Sequence, residues 1–281
     1  MKDRFTKFYE KVGKYYPEDE IVYSTLSGLM RKKWILQKLE KMNKGSLLDC
    51  GCNAGRLTST WRKGPAFGID ISYDVLKKGK ELYPDLNFIQ ADLRELNFLK
   101  ANSFDNAIAC EVLEHLESPL QFLKGLYPLL KPGGLLLITT PNYTLQQPKF
   151  VSIGIMRTFG IDKGIEGERY LHTAYQPDEL VQLVKRAGFS VVEKGSFEFE
   201  LRGWLKPLTL LEKIFFNLSK KFFPASKFNL LFYQFLRRTE INLFVILDTF
   251  GLSKLLKKIF KQGRRSYILV KKNYEAKRLP L

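Results

Sequence analysis

The chain has 281 residues, of which 45% are hydrophobic and 27% charged, a composition typical of a folded protein with a sizeable core. A net charge of +17 favours a polyanionic partner or an anionic membrane surface, although excess lysine can also serve solubility alone. Three cysteines are too few for a disulfide framework, the N-terminus lacks the apolar core of a signal peptide, and no apolar run approaches the roughly 18 residues that span a bilayer. We therefore expect a cytoplasmic protein.

The first segment, residues 1–45, begins with aromatic and charged residues in alternation and becomes helical in pattern from about Ser24 to Lys41. Its aromatic residues include Tyr15, Tyr16 and Tyr23. They either cover a binding site or anchor an amphipathic helix to the core, and the pattern leaves both interpretations open.

From residue 46 to 200, short apolar runs of β type alternate with helical patterns, which predicts a mostly parallel sheet with helices on both faces. Helix starts are indicated at 71–75 and 177–179. The predicted strands are 46–50, 66–70, 86–90, 104–110, 134–140 and 190–199. We expect a doubly wound, Rossmann-like α/β fold, in which ligands lie outside the carboxyl ends of the strands.

Residues 201–264 interrupt this alternation with a basic helical insertion. Eleven Lys or Arg against three acids lie between Trp204 and Gln262, and each helical stretch can place Phe and Leu on one face and lysines on the other. Such helices suit an anionic lipid interface or a long apolar substrate tail, or they simply cap the sheet or form a dimer interface. Residues 265–281 follow as a last core strand, the seventh of the sheet, and a tail.

The segment from Leu47 to Gly55 describes a nucleotide-type cofactor pocket. An apolar strand leads into two glycines, Gly51 and Gly55, whose spacing differs from the GxGxxG pattern of dinucleotide sites. Asp49 at the strand end suits a cationic ligand, and Asp70, about twenty residues later, can reach a ribose. S-adenosylmethionine has an ammonium, a sulfonium and a ribose, and it meets these requirements.

Six motifs in order carry a wider likeness: LLDCGCNAGRL, FGIDIS, FIQADL, FDNAIACEVLEHL, LLKPGGLLLITTPN and ELVQLVKRAGF. With them the chain resembles the class I S-adenosylmethionine-dependent methyltransferases, in particular the quinone-biosynthesis subgroup, over residues 40–200 and again at the last strand. The resemblance implies methyl transfer from S-adenosylmethionine and a sheet of seven strands. It also implies that residues 1–45 form a helical lid over the cofactor site.

The resemblance assigns roles to individual residues on the cofactor side. Asp70 holds the ribose hydroxyls and Asp92 accepts from the adenine amino group, while Ile71 and Leu93 enclose the adenine ring. The methionine part lies near the glycine loop. The full set of implied cofactor-binding residues is Asp49, Gly51, Cys52, Asn53, Gly55, Asp70, Ile71, Asp92, Leu93, Cys110 and Glu111.

The segment after the fourth strand, Cys110 to His115, is expected where methyl donor and acceptor meet. By resemblance, Glu111, Glu114 and His115 could bind a divalent cation that acidifies an acceptor hydroxyl. The same motif occurs in related enzymes without metal, where the acidic residue positions the cofactor and the histidine orders the loop. We favour this second interpretation because the sequence shows no fourth ligand.

The chain has one other histidine, His172, in the loop before the helix that starts at Pro177. His115 and His172 are the candidate catalytic residues; His172 could act as a general base, contact the substrate, or make only a structural hydrogen bond. Residues 140–143 end the fifth predicted core strand and are expected to line the same mouth.

These observations predict methylation of a small or amphipathic acceptor, such as a quinone precursor, a lipid or a lipid-linked glycan, with oxygen preferred as the acceptor atom. The acceptor could be met at an anionic membrane surface. Two alternatives are RNA methylation, disfavoured because the basic residues are interleaved with Phe and Leu, and a non-catalytic scaffold, disfavoured because Asp49, Asp70 and Asp92 are all present.

Overall fold

A computed structural model describes residues 3–17, 21–143, 149–204 and 227–274. The chain folds into two compact units. Met1–Asp19, Leu36–Gly195 and Arg265–Leu281 make up the first unit, and Glu20–Ile35 with Ser196–Arg264 make up the second. Residues 20–35, assigned to the N-terminal lid from the sequence, therefore belong with the helical insertion.

The first unit contains the sheet. Five strands are parallel to one another: β1 (Leu47–Cys50), β2 (Ala66–Asp70), β3 (Asn87–Gln90), β4 (Phe104–Cys110) and β5 (Leu130–Pro141). A small antiparallel pair follows, β6 (Phe150–Ser152) with β7 (Arg169–Leu171), and then come β8 (Ser190–Phe197) and β9 (Arg265–Lys271).

The large sheet has seven strands in the order β3-β2-β1-β4-β5-β9-β8, and β9 runs antiparallel to β5. The predicted mostly parallel seven-stranded α/β fold is confirmed, including the last strand after the insertion. β6 and β7 were not predicted, because three residues are too few to show an alternating pattern.

Eight helices are described: α1 (Arg4–Tyr15), α2 (Leu26–Leu39), α3 (Tyr73–Leu82), α4 (Pro119–Leu126), α5 (Pro177–Arg186), α6 (Leu201–Trp204), α7 (Lys227–Thr249) and α8 (Leu252–Ile259). Helix α5 begins at the predicted position. Proline occupies its first turn, and the side chains of Gln176 and Glu179 form a reciprocal capping box.

The core lies between the sheet and the helices. All four residues of β1 are buried, as expected for a central strand covered on both faces. Leu180 and Val184 of α5 belong to the same buried cluster as Ile138 of β5 and Ile268 of β9. Truncation of one such side chain to alanine typically costs about 2–5 kcal/mol, so this packing holds the strand ends in place.

Helix α1 belongs to the first unit and lies near the expected cofactor site. Its N-cap residue Asp3 accepts a hydrogen bond from the Thr6 backbone N–H at 2.8 Å. Phe5 joins the main core together with Leu93, and a side chain at Gly13 would place its Cβ 2.2 Å from Ser72 Oγ. The glycine thus permits close approach of the helix to the loop after β2.

The second unit has its own small core, formed by Leu26, Leu201 and Phe244. Trp34 stacks on Phe197 with the ring centroids 4.0 Å apart. The predicted helical stretch at 208–223 lies outside the described residues. Among the helices that are described, none is both long and apolar enough to cross a membrane.

Candidate active site

The loop after β1 turns sharply at the carboxyl end of that strand. Gly51 and Gly55 have φ of 73° and 81°, which glycine adopts without strain. The N–H groups of Gly51 and Cys52 both donate to the Ile69 carbonyl, at 2.8 and 2.9 Å. A Cβ at Gly51 would lie 2.7 Å from Val112 Cγ2, so the loop passes close to the segment after β4.

Asp49 is only 2% exposed, and its Oδ2 accepts a hydrogen bond from the Thr58 hydroxyl at 2.6 Å. Burial raises the pKa of Asp49 to about 7, and the negative charge of Asp70 adds to the shift. A positively charged ligand in this place would favour the ionised carboxylate. A buried acid of this kind is compatible with a sulfonium or ammonium group, and the predicted contact of Asp49 with the cofactor stays a prediction.

Asp70 ends β2, and its carboxylate bridges two loops. It accepts hydrogen bonds from the N–H of Asn53 and the N–H of Ser72, both at 3.0 Å. Burial raises the pKa of Asp70, although these backbone hydrogen bonds lower it. The structure thus brings the glycine loop and Asp70 together, in agreement with a shared ribose and methionine site.

Asp92 follows β3 and is held by a charged partner that the sequence did not indicate. Arg94 Nη2 lies 2.6 Å from Asp92 Oδ2 and 2.7 Å from Asp3 Oδ2. The same guanidinium lies 4.4 Å from the Phe5 ring centroid. Asp92 is therefore connected to the N-terminus of α1, and its expected contact with adenine stays a prediction.

Glu111 follows β4 in a left-handed backbone conformation, with φ of 60°. Its N–H donates to the Thr139 carbonyl at 2.9 Å, and its Oε1 accepts from the Thr139 hydroxyl at 3.0 Å. Arg265 Nε lies 2.7 Å from Glu111 Oε2. Thr139 and Arg265 were not among the predicted site residues.

In the same segment, Glu114 is buried and His115 is half-buried. Glu114 is 1% exposed, and its Oε1 lies 3.9 Å from His115 Nε2. His115 Nδ1 lies 3.3 Å from the Leu171 carbonyl oxygen, which can only accept a hydrogen, so Nδ1 carries the proton and Nε2 keeps its lone pair in the neutral ring. Burial lowers the pKa of His115 to about 4, which keeps this ring neutral near pH 7.

The ring of His172 packs edge-on against the ring of His115, with the ring centroids 5.3 Å apart. Its Nδ1 lies 3.4 Å from the Tyr143 hydroxyl, and burial lowers its pKa as well. Tyr9 of α1 and Tyr170 of β7 contact the ring of His115, at centroid distances of 5.7 and 5.9 Å. The two predicted catalytic histidines are thus brought together in an aromatic enclosure.

Three side chains of this enclosure could bind a metal ion: Glu114, His115 and His172 each offer a ligand atom, and these atoms lie within 4.8 Å of one another. Across the described parts of the chain, no other group of three or more such side chains meets this condition. The group differs from the set considered from the sequence, because His172 takes the place of Glu111. We name Glu114, His115 and His172 the three-donor cluster.

The remaining predicted site residues include two cysteines and residues 140–143. Cys52 is buried and Cys110 half-buried, and burial raises the pKa of the Cys52 thiol, which argues against a reactive thiolate. Of residues 140–143, Tyr143 reaches His172, whereas Thr140 is fully buried opposite Ser266 of β9.

A family model described as a methyltransferase domain matches residues 48–138. A ubiquinone biosynthesis O-methyltransferase from Acinetobacter baumannii is 25% identical over 191 residues, which cover 63% of this chain and 78% of that protein. A protein of the same name from Ruegeria pomeroyi is 28% identical over 165 residues, covering 56% of this chain and 65% of that protein.

Solved structures share the fold at low identity. Phosphoethanolamine N-methyltransferase 2 of Haemonchus contortus, in complex with S-adenosyl-L-methionine, aligns with a TM-score of 0.56 and 17% identity over 96% of this chain and 60% of that chain. A SAM-dependent methyltransferase from Methanosarcina mazei aligns with a TM-score of 0.52 and 15% identity, covering 86% of this chain and 98% of that chain.

Fold, motifs and relatives agree on the class: the chain is a class I S-adenosylmethionine-dependent methyltransferase. It is an enzyme, and S-adenosylmethionine is its methyl donor.

Proposed function

We propose that the enzyme transfers the methyl group to an oxygen atom of a small, amphipathic acceptor that enters beside the two histidines. The observation that carries this proposal is the meeting of His115 and His172 in an aromatic enclosure after β4. The name of the curated relatives, ubiquinone biosynthesis O-methyltransferase, supports the same acceptor class, a quinone precursor with an apolar tail.

On the donor side, we assign the cofactor to the crevice above the glycine loop. S-adenosylmethionine supplies a methyl group on a sulfonium, which is already an activated leaving group. Asp49 and the loop from Gly51 to Gly55 face its positively charged part, and Asp70 holds the ribose. The protein's task is then mainly alignment of donor and acceptor.

On the acceptor side, His172 is the residue we assign as general base. It is neutral near pH 7, because burial lowers its pKa, and its Nδ1 is oriented by Tyr143. His172 accepts the proton that the acceptor hydroxyl loses as the new carbon–oxygen bond forms. His115, more deeply buried and held by the Leu171 carbonyl, orders the loop.

A second candidate mechanism uses a divalent cation, and the three-donor cluster is the observation that favours it. The Nδ1 hydrogen bond of His115 to a backbone carbonyl leaves Nε2 available, as is typical of metal-binding histidines. Glu114, His115 and His172 would hold the ion, which would lower the pKa of an acceptor hydroxyl.

The acceptor class is tested with purified enzyme and S-adenosylmethionine carrying a labelled methyl group. A catechol with a polyprenyl tail, the same catechol without the tail, a glycolipid and an RNA are compared. We expect labelled ether on the tailed catechol. Label on RNA alone, or on nitrogen or carbon, would contradict the proposal, and loss of activity on chelation with recovery on added Mg²⁺ would favour the cation mechanism.

The second unit offers a reason for an amphipathic acceptor. Phe250 is 85% exposed and is followed on α8 by exposed Leu255 and Ile259, interleaved with Lys254 and Lys258. Apolar side chains among lysines suit an anionic lipid surface, where such an acceptor resides. We propose that this part of the molecule docks on that surface.

Vesicle flotation tests the docking. The wild-type protein should float with phosphatidylglycerol vesicles and less with phosphatidylcholine, and the double variant Phe250→Ser/Leu255→Ser should float several-fold less. Phe98→Ser is the matched control, since Phe98 is equally an exposed apolar residue but lies in the first unit. Equal flotation of all three proteins would contradict membrane docking.

A further inference from the structure

Arg265 reaches the acceptor side of the site because of the strand topology. β9 runs antiparallel to β5, and its first residue, Arg265, is in register with Pro141, the last residue of β5. A strand that runs against the others begins where they end. The arginine is therefore delivered to the edge of the sheet at which Glu111 follows β4.

Both oxygens of the Glu111 carboxylate are engaged at this edge. Oε1 accepts from the Thr139 hydroxyl at 3.0 Å, and Oε2 lies 2.7 Å from Arg265 Nε. The side chains of Arg265 and Glu111 are 16% and 17% exposed, so the pair is largely shielded from water. An ion pair shielded in this way is much harder to separate than a surface pair.

Glu111 nevertheless lies close to the three-donor cluster. The main influence on the pKa of His172 is burial, which lowers it, but the charge of Glu111 raises it and the charge of Arg265 lowers it. Glu111 also raises the pKa of His115. The charge of Glu111 therefore acts on both histidines, yet Glu111 is not one of the three groups whose ligand atoms converge.

We propose that Arg265 is a built-in cation that competes with a divalent ion for Glu111. With Thr139, its guanidinium holds the carboxylate of Glu111 outside the three-donor cluster, so that, among the described residues, the ligand atoms that converge there are those of Glu114, His115 and His172. Arg265 thus determines how strongly the site binds a divalent cation. The proposal rests on the assignment of this crevice to the acceptor, but its test does not depend on methyl transfer.

The experiment measures Mn²⁺ binding to the full chain by electron paramagnetic resonance and titration calorimetry. In the Arg265→Gln variant Glu111 is released and becomes a fourth ligand, and Mn²⁺ affinity should rise about tenfold or more. The double variant Arg265→Gln/Glu111→Gln should return to the wild-type affinity. Lys194→Gln, which removes one positive charge from an exposed ion pair with Asp178, should leave the affinity unchanged.

Circular dichroism and the thermal midpoint of each variant report whether it is folded. If Arg265→Gln is folded and binds Mn²⁺ no better than the wild type, the proposal is wrong and the ion pair is only structural. If that variant does not fold, the single variant Glu111→Gln, which keeps Arg265, provides the test. Its Mn²⁺ affinity should stay within about twofold of the wild-type value. A large loss there would place Glu111 among the ligands and overturn the proposal.

Discussion

The cofactor end and the acceptor end of the candidate site hold negative charge in different ways. At the cofactor end, Asp49 and Asp70 receive their hydrogen bonds from neutral donors, namely the Thr58 hydroxyl and backbone N–H groups. At the acceptor end, Glu111 is paired with the guanidinium of Arg265. Asp49 and Asp70 thus rely on neutral donors, whereas Glu111 is balanced by a positive charge of the protein itself.

This difference indicates where an external cation is needed. Burial without a charged partner raises the pKa of Asp49 to about 7, so its ionised form is costly until a positive ligand arrives. The cofactor supplies such a charge. At the acceptor end the arginine already balances Glu111, and the three-donor cluster holds two histidines of lowered pKa beside the buried Glu114.

The largest effect is expected from the acceptor end. His172→Ala should reduce kcat about 100- to 1,000-fold, because the proton of the acceptor hydroxyl loses its base. His172→Asn, which keeps a hydrogen-bonding side chain, should be equally impaired. The affinity for S-adenosylmethionine, measured by calorimetry, should stay unchanged in both variants. A kcat near that of the wild type in either one would remove His172 from the mechanism.

At the cofactor end, Asp70→Asn should weaken binding of S-adenosylmethionine roughly 10- to 100-fold, since hydrogen bonds from the ribose to a charged acceptor are worth about 1.5–3 kcal/mol. Asp74→Asn is the matched control, because Asp74 is exposed in the first turn of α3. Comparable affinities of the two variants would show that Asp70 is not the ribose ligand.

The raised pKa of Asp49 predicts pH-dependent cofactor binding. Below about pH 7 the free enzyme carries a proton on Asp49 that a cationic ligand must displace, so affinity should fall by up to about tenfold per pH unit as the pH decreases. Above about pH 7 the affinity should be level. Calorimetry in buffers of different ionisation heat would detect the released proton, and Asp49→Asn should abolish that release.

The same group predicts a smaller effect on stability without cofactor. Between about pH 4 and 7 the folded state holds a proton on Asp49 that the unfolded chain has lost, so the contribution of this residue is greatest at low pH and declines as pH rises to about 7. The slope is at most about 1.4 kcal/mol per pH unit. The free energy of unfolding in urea is measured for the wild type and for Asp49→Asn, and the difference between them should decline in this way as the pH rises. A difference that does not change with pH would contradict the prediction.

The proximity of Asp49, the glycine loop and Asp70 could be predicted from the sequence because consecutive elements carry them. Asp49, the glycine loop and Asp70 lie within two neighbouring strands and the turn between them, so their spacing along the chain reports their proximity. Thr58 was missed, since a hydroxyl in a 3₁₀ turn carries no pattern that singles it out.

The acceptor end was only partly predictable, because distant segments meet there. His115 and His172 could be named, since the chain has two histidines, but their contact depends on the course of the loop between β5 and α5. Arg265 is one of 46 basic residues and has no local signal. Only the antiparallel register of β9 with β5 shows that it meets Glu111.

The position of Arg265 has a consequence for protein engineering. It is the first residue after Ser196–Arg264, the part of the second unit that precedes β9, so a change in the length of that segment can alter the register in which β9 pairs with β5. A chimera that exchanges the segment must return the chain with the arginine opposite Pro141. A shift of one residue in the register of β9 would turn the guanidinium to the other face of the sheet. Glu111 would then lose the Arg265 contact, even if every helix of the exchanged segment were correctly folded.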